Sequence, residues 1–159
     1  MQSHSLLLQP GEGHNLWWGD ILVTFKVTKD HTDGAFTVME DRVPPGYATP
    51  LHVHSREDER IYVSSGDLTF RVGEETFEVF EGSFINMPKG LPHNFVNIGK
   101  TEAVLLVTFN PAGIEKMFYE MGRPVTDLTS PPPAYTPEDI KRMMTIANRY
   151  GVEILPPNR

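Results

Sequence analysis

From about residue 20 to residue 110 the chain is a run of short apolar segments cut by turn residues. ILVTFKV (21–27) and AFTVMEDRV (35–43) are rich in β-branched and aromatic side chains. ERIYVSS (59–65), DLTFRV (67–72) and ETFEVF (75–80) follow, with breaks at Ser65-Gly66-Asp67 and Gly73-Glu74. SFINM (83–87), HNFVNI (93–98) and EAVLLVTF (102–109) complete the series. Strands at this spacing predict an all-β sandwich or barrel. The period changes after Asn110. PAGIEKMFYEMG (111–122) places Ile114, Met117, Phe118 and Met121 at helical spacing and ends on Gly122. SPPPAY (130–135) is a stiff polyproline-type linker. A second helix is expected over 136–150, with Thr136 as N-cap, Pro137 at its first position, acids in its first turn and Gly151 after its end. Its apolar stripe is Ile140, Met143, Met144 and Ala147. Both helices are expected to pack on the barrel wall; the sharper alternative is that one of them lids the mouth. The expected layout is an N-terminal arm over 1–20, a β-barrel over 21–110 and a helical extension over 111–159.

The chain has 159 residues, which fits one domain. Its net charge is −7, with the charges interspersed. That argues against nucleic acid and anionic membranes as partners, since both attract clustered Lys and Arg. There are no cysteines, so disulfides, thiolate nucleophiles and Cys-based zinc sites are excluded. MQSHSLLLQPGEG lacks the basic lead and long apolar segment of a signal peptide. The longest aliphatic run, Val104–Val107, is far too short to span a bilayer. A cytoplasmic protein is expected.

One stretch breaks the apolar alternation: GYATPLHVHSREDERIYVSSG, residues 46–66. His52 and His54 stand two apart, so they share one face of a strand, and Glu59 follows at the head of an apolar run. Singly, each residue is unremarkable; a strand histidine is more often hydrogen-bonded than ligating. Together, two imidazoles and a carboxylate on a rigid sheet make one face of a metal polyhedron. His93, in GLPHNFVN, is the candidate fourth donor. His4 and His14 lie in the arm, His31 sits in a turn, and Glu57 and Asp58 read as solvated strand charges.

The glycine and proline framework adds to this. From Gly46 to Gly66 the pattern is G-x5-H-x-H-x4-E-x6-G; from Gly82 it is G-x5-P-x-G-x2-H-x3-N, through Pro88, Gly90 and His93 to Asn97. With both motifs filled, the sequence resembles the cupin superfamily. The resemblance implies a jelly-roll (double-stranded β-helix) barrel with a metal inside, bound by His52, His54, Glu59 and His93. One barrel's worth of motif argues against a two-barrel cupin. PHNFVNIGKTEAVLLVTFNPAGIEKMFYEMG and TPEDIKRMMTIANRYGVEILPP look like the helical tails of small bacterial quercetinase-like monocupins. That second resemblance implies a dioxygenase adding O2 to an enolisable or aromatic small molecule, with Glu59 taking the proton. The implied cofactor is one divalent transition metal ion, iron, nickel or manganese by preference, with cobalt, copper and zinc also fitting the donors. Ile61 and Val63 share Glu59's face, and Phe95 shares His93's; with Phe36, Met39, Phe84 and Phe109 they are the expected pocket wall. Competing readings are a metal-dependent isomerase or lyase of a small polar metabolite, and a non-catalytic binding cupin. Few Arg or Lys side chains are expected to point inward, which favours an apolar ligand. Strand edges that gain from pairing lead to the expectation of a homodimer.

Overall fold

The structure, a computed structural model, describes residues 5–125 and 127–156; His4 lies outside them. Two antiparallel sheets face each other in a jelly-roll-like barrel. The first sheet holds seven strands: β1 (His14–Trp18), β2 (Ile21–Val27), β3 (Thr37–Val43), β5 (Asp58–Ser65), β8 (Phe84–Met87), β10 (Ala103–Asn110) and β11 (Arg123–Pro124). Its order is β11-β1-β2-β3-β10-β5-β8. The second holds β4 (His52–His54), β6 (Leu68–Val72), β7 (Glu75–Val79), β9 (His93–Asn97) and β12 (Val152–Ile154), in the order β12-β4-β9-β6-β7. The side-chain period of two is visible in β3, β6, β9 and β10, where buried residues alternate with partly exposed ones. The inward rows form the core, including Phe70, Ile61, Leu105 and Val107.

Two devices explain fixed positions in the motifs. Gly66 has φ of 102°, and a Cβ there would lie 2.5 Å from the Ala103 Cβ, so the turn after β5 admits no side chain. Asn97, fully buried, donates from Nδ2 to the carbonyls of Val43 (2.9 Å) and Thr101 (3.0 Å) and accepts from the Gly99 N–H (2.9 Å). It ties the β9–β10 turn to the end of β3.

Three features depart from the sequence expectations. Within the expected arm, His14–Trp18 is a strand paired along its whole length with β2. The KDHT segment expected as a turn is a single helical turn, α1 (Lys29–Thr32). The helical extension contributes two short strands, β11 against β1 and β12 against β4, which bind the tail into both sheets. Their sequences, RP and VEI, are too short to show a period.

The helices form where expected, as α2 (Glu115–Met121) and α3 (Pro137–Arg149). Glu115 anchors α2, accepting from Thr37 Oγ1 (2.7 Å), Gly113 N (2.8 Å) and Lys29 N (3.1 Å). Burial pushes its carboxyl up, but these hydrogen bonds outweigh it and the net shift is down. A capping box starts α3: Asp139 N donates to Thr136 Oγ1 (3.1 Å), and Thr136 N donates to Asp139 Oδ2 (2.9 Å). No described helix is long and apolar enough to cross a membrane.

Candidate metal centre

His52 and His54 lie on β4, His93 on the adjacent β9, and Glu59 across the barrel on β5. Register brings His52 directly opposite His93. One ligand atom from each of the four residues lies within 4.8 Å of the others. Four donors around one ion at metal–ligand bonds of about 2.1 Å stand about 3 to 4 Å apart, so a small inward adjustment closes the shell.

The orientation of the rings matters more than their proximity. His52 Nδ1 lies 2.8 Å from the Pro50 carbonyl and His93 Nδ1 lies 2.9 Å from the Leu91 carbonyl. A carbonyl only accepts, so each Nδ1 carries the hydrogen and each Nε2 is left with its lone pair free. Two Nε2 atoms meet the Glu59 carboxylate: His93 Nε2 is 3.0 Å and His54 Nε2 3.5 Å from Glu59 Oε2. Backbone carbonyls fixing the outer nitrogens are the usual outer support of ligating histidines. Lone pairs of imidazole nitrogen and carboxylate oxygen converging on one point repel unless a cation lies between them. The donor set therefore fits a metal.

Burial and the mutual charges of the four residues shift their protonation. His52 is held down to about 4 by burial, with the neighbouring His93 and His54 charges adding to it and Glu59 opposing. Burial pushes Glu59 up, but the hydrogen bond from His93 and the charges of all three histidines bring it down to about 2. Burial likewise pushes His93 down, and its hydrogen bond and charge pairing with Glu59 reverse this to a net upward shift.

Beside the ligands opens a cavity of about 600 Å³. That is the size of pockets that enclose drug-like ligands. His52, His54 and Glu59 line one end, Met39, Phe95 and Phe109 line the barrel side, and Met117, Phe118 and Met121 of α2 line the wall opposite. The α3 stripe of Ile140, Met143, Met144 and Ala147 lines it as well. The helices thus wall the cavity as well as packing on the barrel, and the half-exposed Ile140 and Met144 lie at its rim.

Of the seven expected wall residues, Met39, Phe95 and Phe109 line the cavity. Ile61 and Val63 point inward as parity requires but are buried in the core between the sheets, away from the lining. Phe84 is 63% exposed and Phe36 is 38% exposed, so both face outward. Phe84 lies on the edge strand β8, where it pairs with the outward Tyr62. Glu57, expected in solvent, is 5% exposed, with Oε2 3.7 Å from His54 Nδ1. Asp58 is partly exposed, accepting from the Lys89 N–H. Sequence reading missed Asp41. It is 4% exposed on β3, lines the cavity, and its Oδ1 has no hydrogen-bond partner. The signal available was parity: an acid sits in phase with Met39 and Val43 on the inward face of the strand.

Residues 39–109 match the model of the cupin domain. The chain is 27% identical over 135 residues to quercetin 2,3-dioxygenase of Bacillus subtilis (strain 168), a match covering 84% of this chain and 39% of that protein. It is 34% identical over 101 residues to oxalate oxidase 1 of Hordeum vulgare, covering 58% of this chain and 48% of the relative. The chain thus spans less than half the length of these curated relatives. Among solved structures, a predicted oxalate decarboxylase from Thermotoga maritima superposes with a TM-score of 0.61 at 19% identity, over 67% of this chain and 99% of that one. That likeness is one of shape.

Proposed function

Because residues 39–109 match the cupin domain model, we propose that the protein is a metal-dependent dioxygenase that adds O2 to an enolisable or aromatic small molecule. The carrying observation is the juxtaposition of the four convergent donors with a 600 Å³ cavity whose wall is mainly apolar. The similarity to quercetin 2,3-dioxygenase supports the same reading.

A divalent metal held by His52, His54, Glu59 and His93 supplies, when bound, Lewis acidity toward a substrate oxygen and a template for two reactants. The residues do the rest. Phe95, Phe109 and Phe118 enclose a planar ring and exclude water. Glu59 is assigned to accept the substrate's hydroxyl proton. At about 2 its carboxyl is a weak base, so transfer is efficient only from a hydroxyl already acidified, as an enol beside a cation is.

The oxalate oxidase relative raises a second class, a small acid as substrate. Among the described residues lining the cavity there is no Arg or Lys, so a dianion has no side-chain cation to neutralise it. That favours the apolar ligand. The test is to purify the protein without chelator, measure its metal content, and follow O2 uptake with quercetin and with oxalate. Uptake with quercetin that disappears in His93→Ala is the expected result. Metal-replete protein that consumes no O2 with any enolisable aromatic overturns the reading.

A further inference from the structure

The barrel buries a second set of polar atoms away from the metal donors. Along β3 and its neighbours, the row containing Glu59 runs through Phe109 to Thr37. Asp41 stands four residues further along β3, in the row of Leu105 and Val63. At strand rise this is about 13 Å from the Glu59 row. Asp41 Oδ1 and the indole Nε1 of Trp18 are both buried without a hydrogen-bond partner, and both residues line the cavity. Tyr47 lines the same cavity, close enough to Gly19 that a Cβ there would lie 2.9 Å from the Tyr47 hydroxyl.

Unpartnered buried polar atoms are costly, and native chains satisfy nearly all of them. Two at the same cavity call for a partner that the protein alone does not supply, a hydroxyl of the ligand or the water that such a hydroxyl displaces. The carboxyl of Asp41 is pushed well up, by burial first and by the charges of Glu59 and Glu40 next. A neutral carboxyl offers one O–H donor and one acceptor oxygen; an indole N–H only donates. A hydroxyl has the chemistry for both atoms, since it can accept from the Trp18 N–H and donate to an Asp41 oxygen. A carboxylate ligand would meet the negative field of Glu59 and Glu40.

We propose that Asp41 and Trp18 form a polar subsite that binds a hydroxyl on the part of the ligand furthest from the metal, with Tyr47 beside it. This deepens the aromatic-ligand reading by adding a requirement: the ring system carries a second hydroxyl at its distal end. The subsite fixes which end of the ligand reaches the metal.

The test uses chelator-treated protein, so that it stands apart from metal chemistry. Phenol and toluene are titrated in turn into protein carrying 13C-methyl methionine, and occupancy is read at Met39, which lines the cavity. Wild type is expected to bind phenol at least about fivefold more tightly than toluene, as one buried hydrogen bond allows. Asp41→Leu reverses the preference in favour of toluene, and Trp18→Phe, which keeps an aromatic ring and removes the N–H, narrows it. Thermal melting adds a control: loss of an unpartnered polar group leaves Asp41→Leu at least as stable as wild type. The same phenol-to-toluene ratio in all three proteins overturns the proposal, as does Asp41→Leu melting well below wild type, the mark of a purely structural acid. Failure of O2 uptake in the metal-loaded protein, by contrast, overturns the dioxygenase reading and leaves these ratios as they are.

Discussion

The two polar regions of the cavity bury their atoms in opposite ways. At the metal centre, His52 and His93 turn their outer nitrogens to backbone carbonyls and every inner donor faces another. At the far region, Asp41 Oδ1 and Trp18 Nε1 have no hydrogen-bond partner among the described residues. The first arrangement converges on the place of a cation. The second is open to an uncharged polar group. The contrast shows that burial of polar atoms carries functional information only together with their partners: converging lone pairs specify a positive ion, and isolated donors and acceptors specify a ligand's own hydrogen-bonding group.

The largest way to break the contrast is to open the metal end. His93→Ala removes a candidate ligand and the partner that draws down Glu59. Affinity for Zn2+ or Mn2+, measured by competition with a chromophoric chelator, is expected to fall at least about 100-fold, since even outer support of a ligand is worth 10- to 100-fold. The β-sheet circular dichroism signal should persist, because the core lies elsewhere. Unchanged metal affinity would separate these four residues from any metal function.

A smaller effect is expected one layer out. Glu57 Oε2 stands 3.7 Å from His54 Nδ1, and both atoms lack a partner. This is the one histidine of the three ligand candidates whose outer nitrogen meets a carboxylate rather than a carbonyl. If that carboxylate orients the ring and raises its basicity, Glu57→Gln weakens metal binding about tenfold. An affinity equal to wild type would make Glu57 a bystander, and the far region would then not be alone in burying polar atoms to no purpose of the metal.

The metal end was legible in the sequence because its residues are tied to backbone punctuation. Gly66, Pro88, Gly90 and Asn97 mark turns whose chemistry is local, and the spacing between them fixes which strand each histidine occupies. Strand existence was legible for the same reason. The far region was not. Asp41 looks like any polar residue in an alternating strand until β10 and the helices cover it, and Trp18 lay in what read as an irregular arm. Ile61 and Val63 show the complementary failure: parity fixes the face of a strand, but whether that face meets a cavity or the opposite sheet depends on where the helices dock. Strands β11 and β12 are built by tertiary pairing of two- and three-residue segments that carry no period of their own.

The finest test of the contrast is the pH dependence of stability in the metal-free protein. Asp41 is pushed up by burial and by Glu59 and Glu40, so in the folded state it keeps its proton to a higher pH than in the unfolded chain. Below the ordinary aspartate range both states are protonated and Asp41 contributes no pH dependence. As pH rises from there toward the folded value, the unfolded chain releases a proton that the folded one retains, so it binds fewer protons and stability falls. Asp41→Asn keeps the shape and removes the titration. Its stability relative to wild type, from urea unfolding at a series of pH values, should therefore grow from about pH 4 upward, at no more than about 1.4 kcal/mol per pH unit. Glu59 has the opposite sign: its depressed carboxyl adds stability above its ordinary range, and that stability is lost as pH falls toward 2. The substitution leaves the Glu59 carboxyl in place, so the difference between the two proteins chiefly follows Asp41. A wild-type-minus-variant difference that is flat with pH would mean that Asp41 ionises normally, and the far region would then hold a charge rather than a neutral donor.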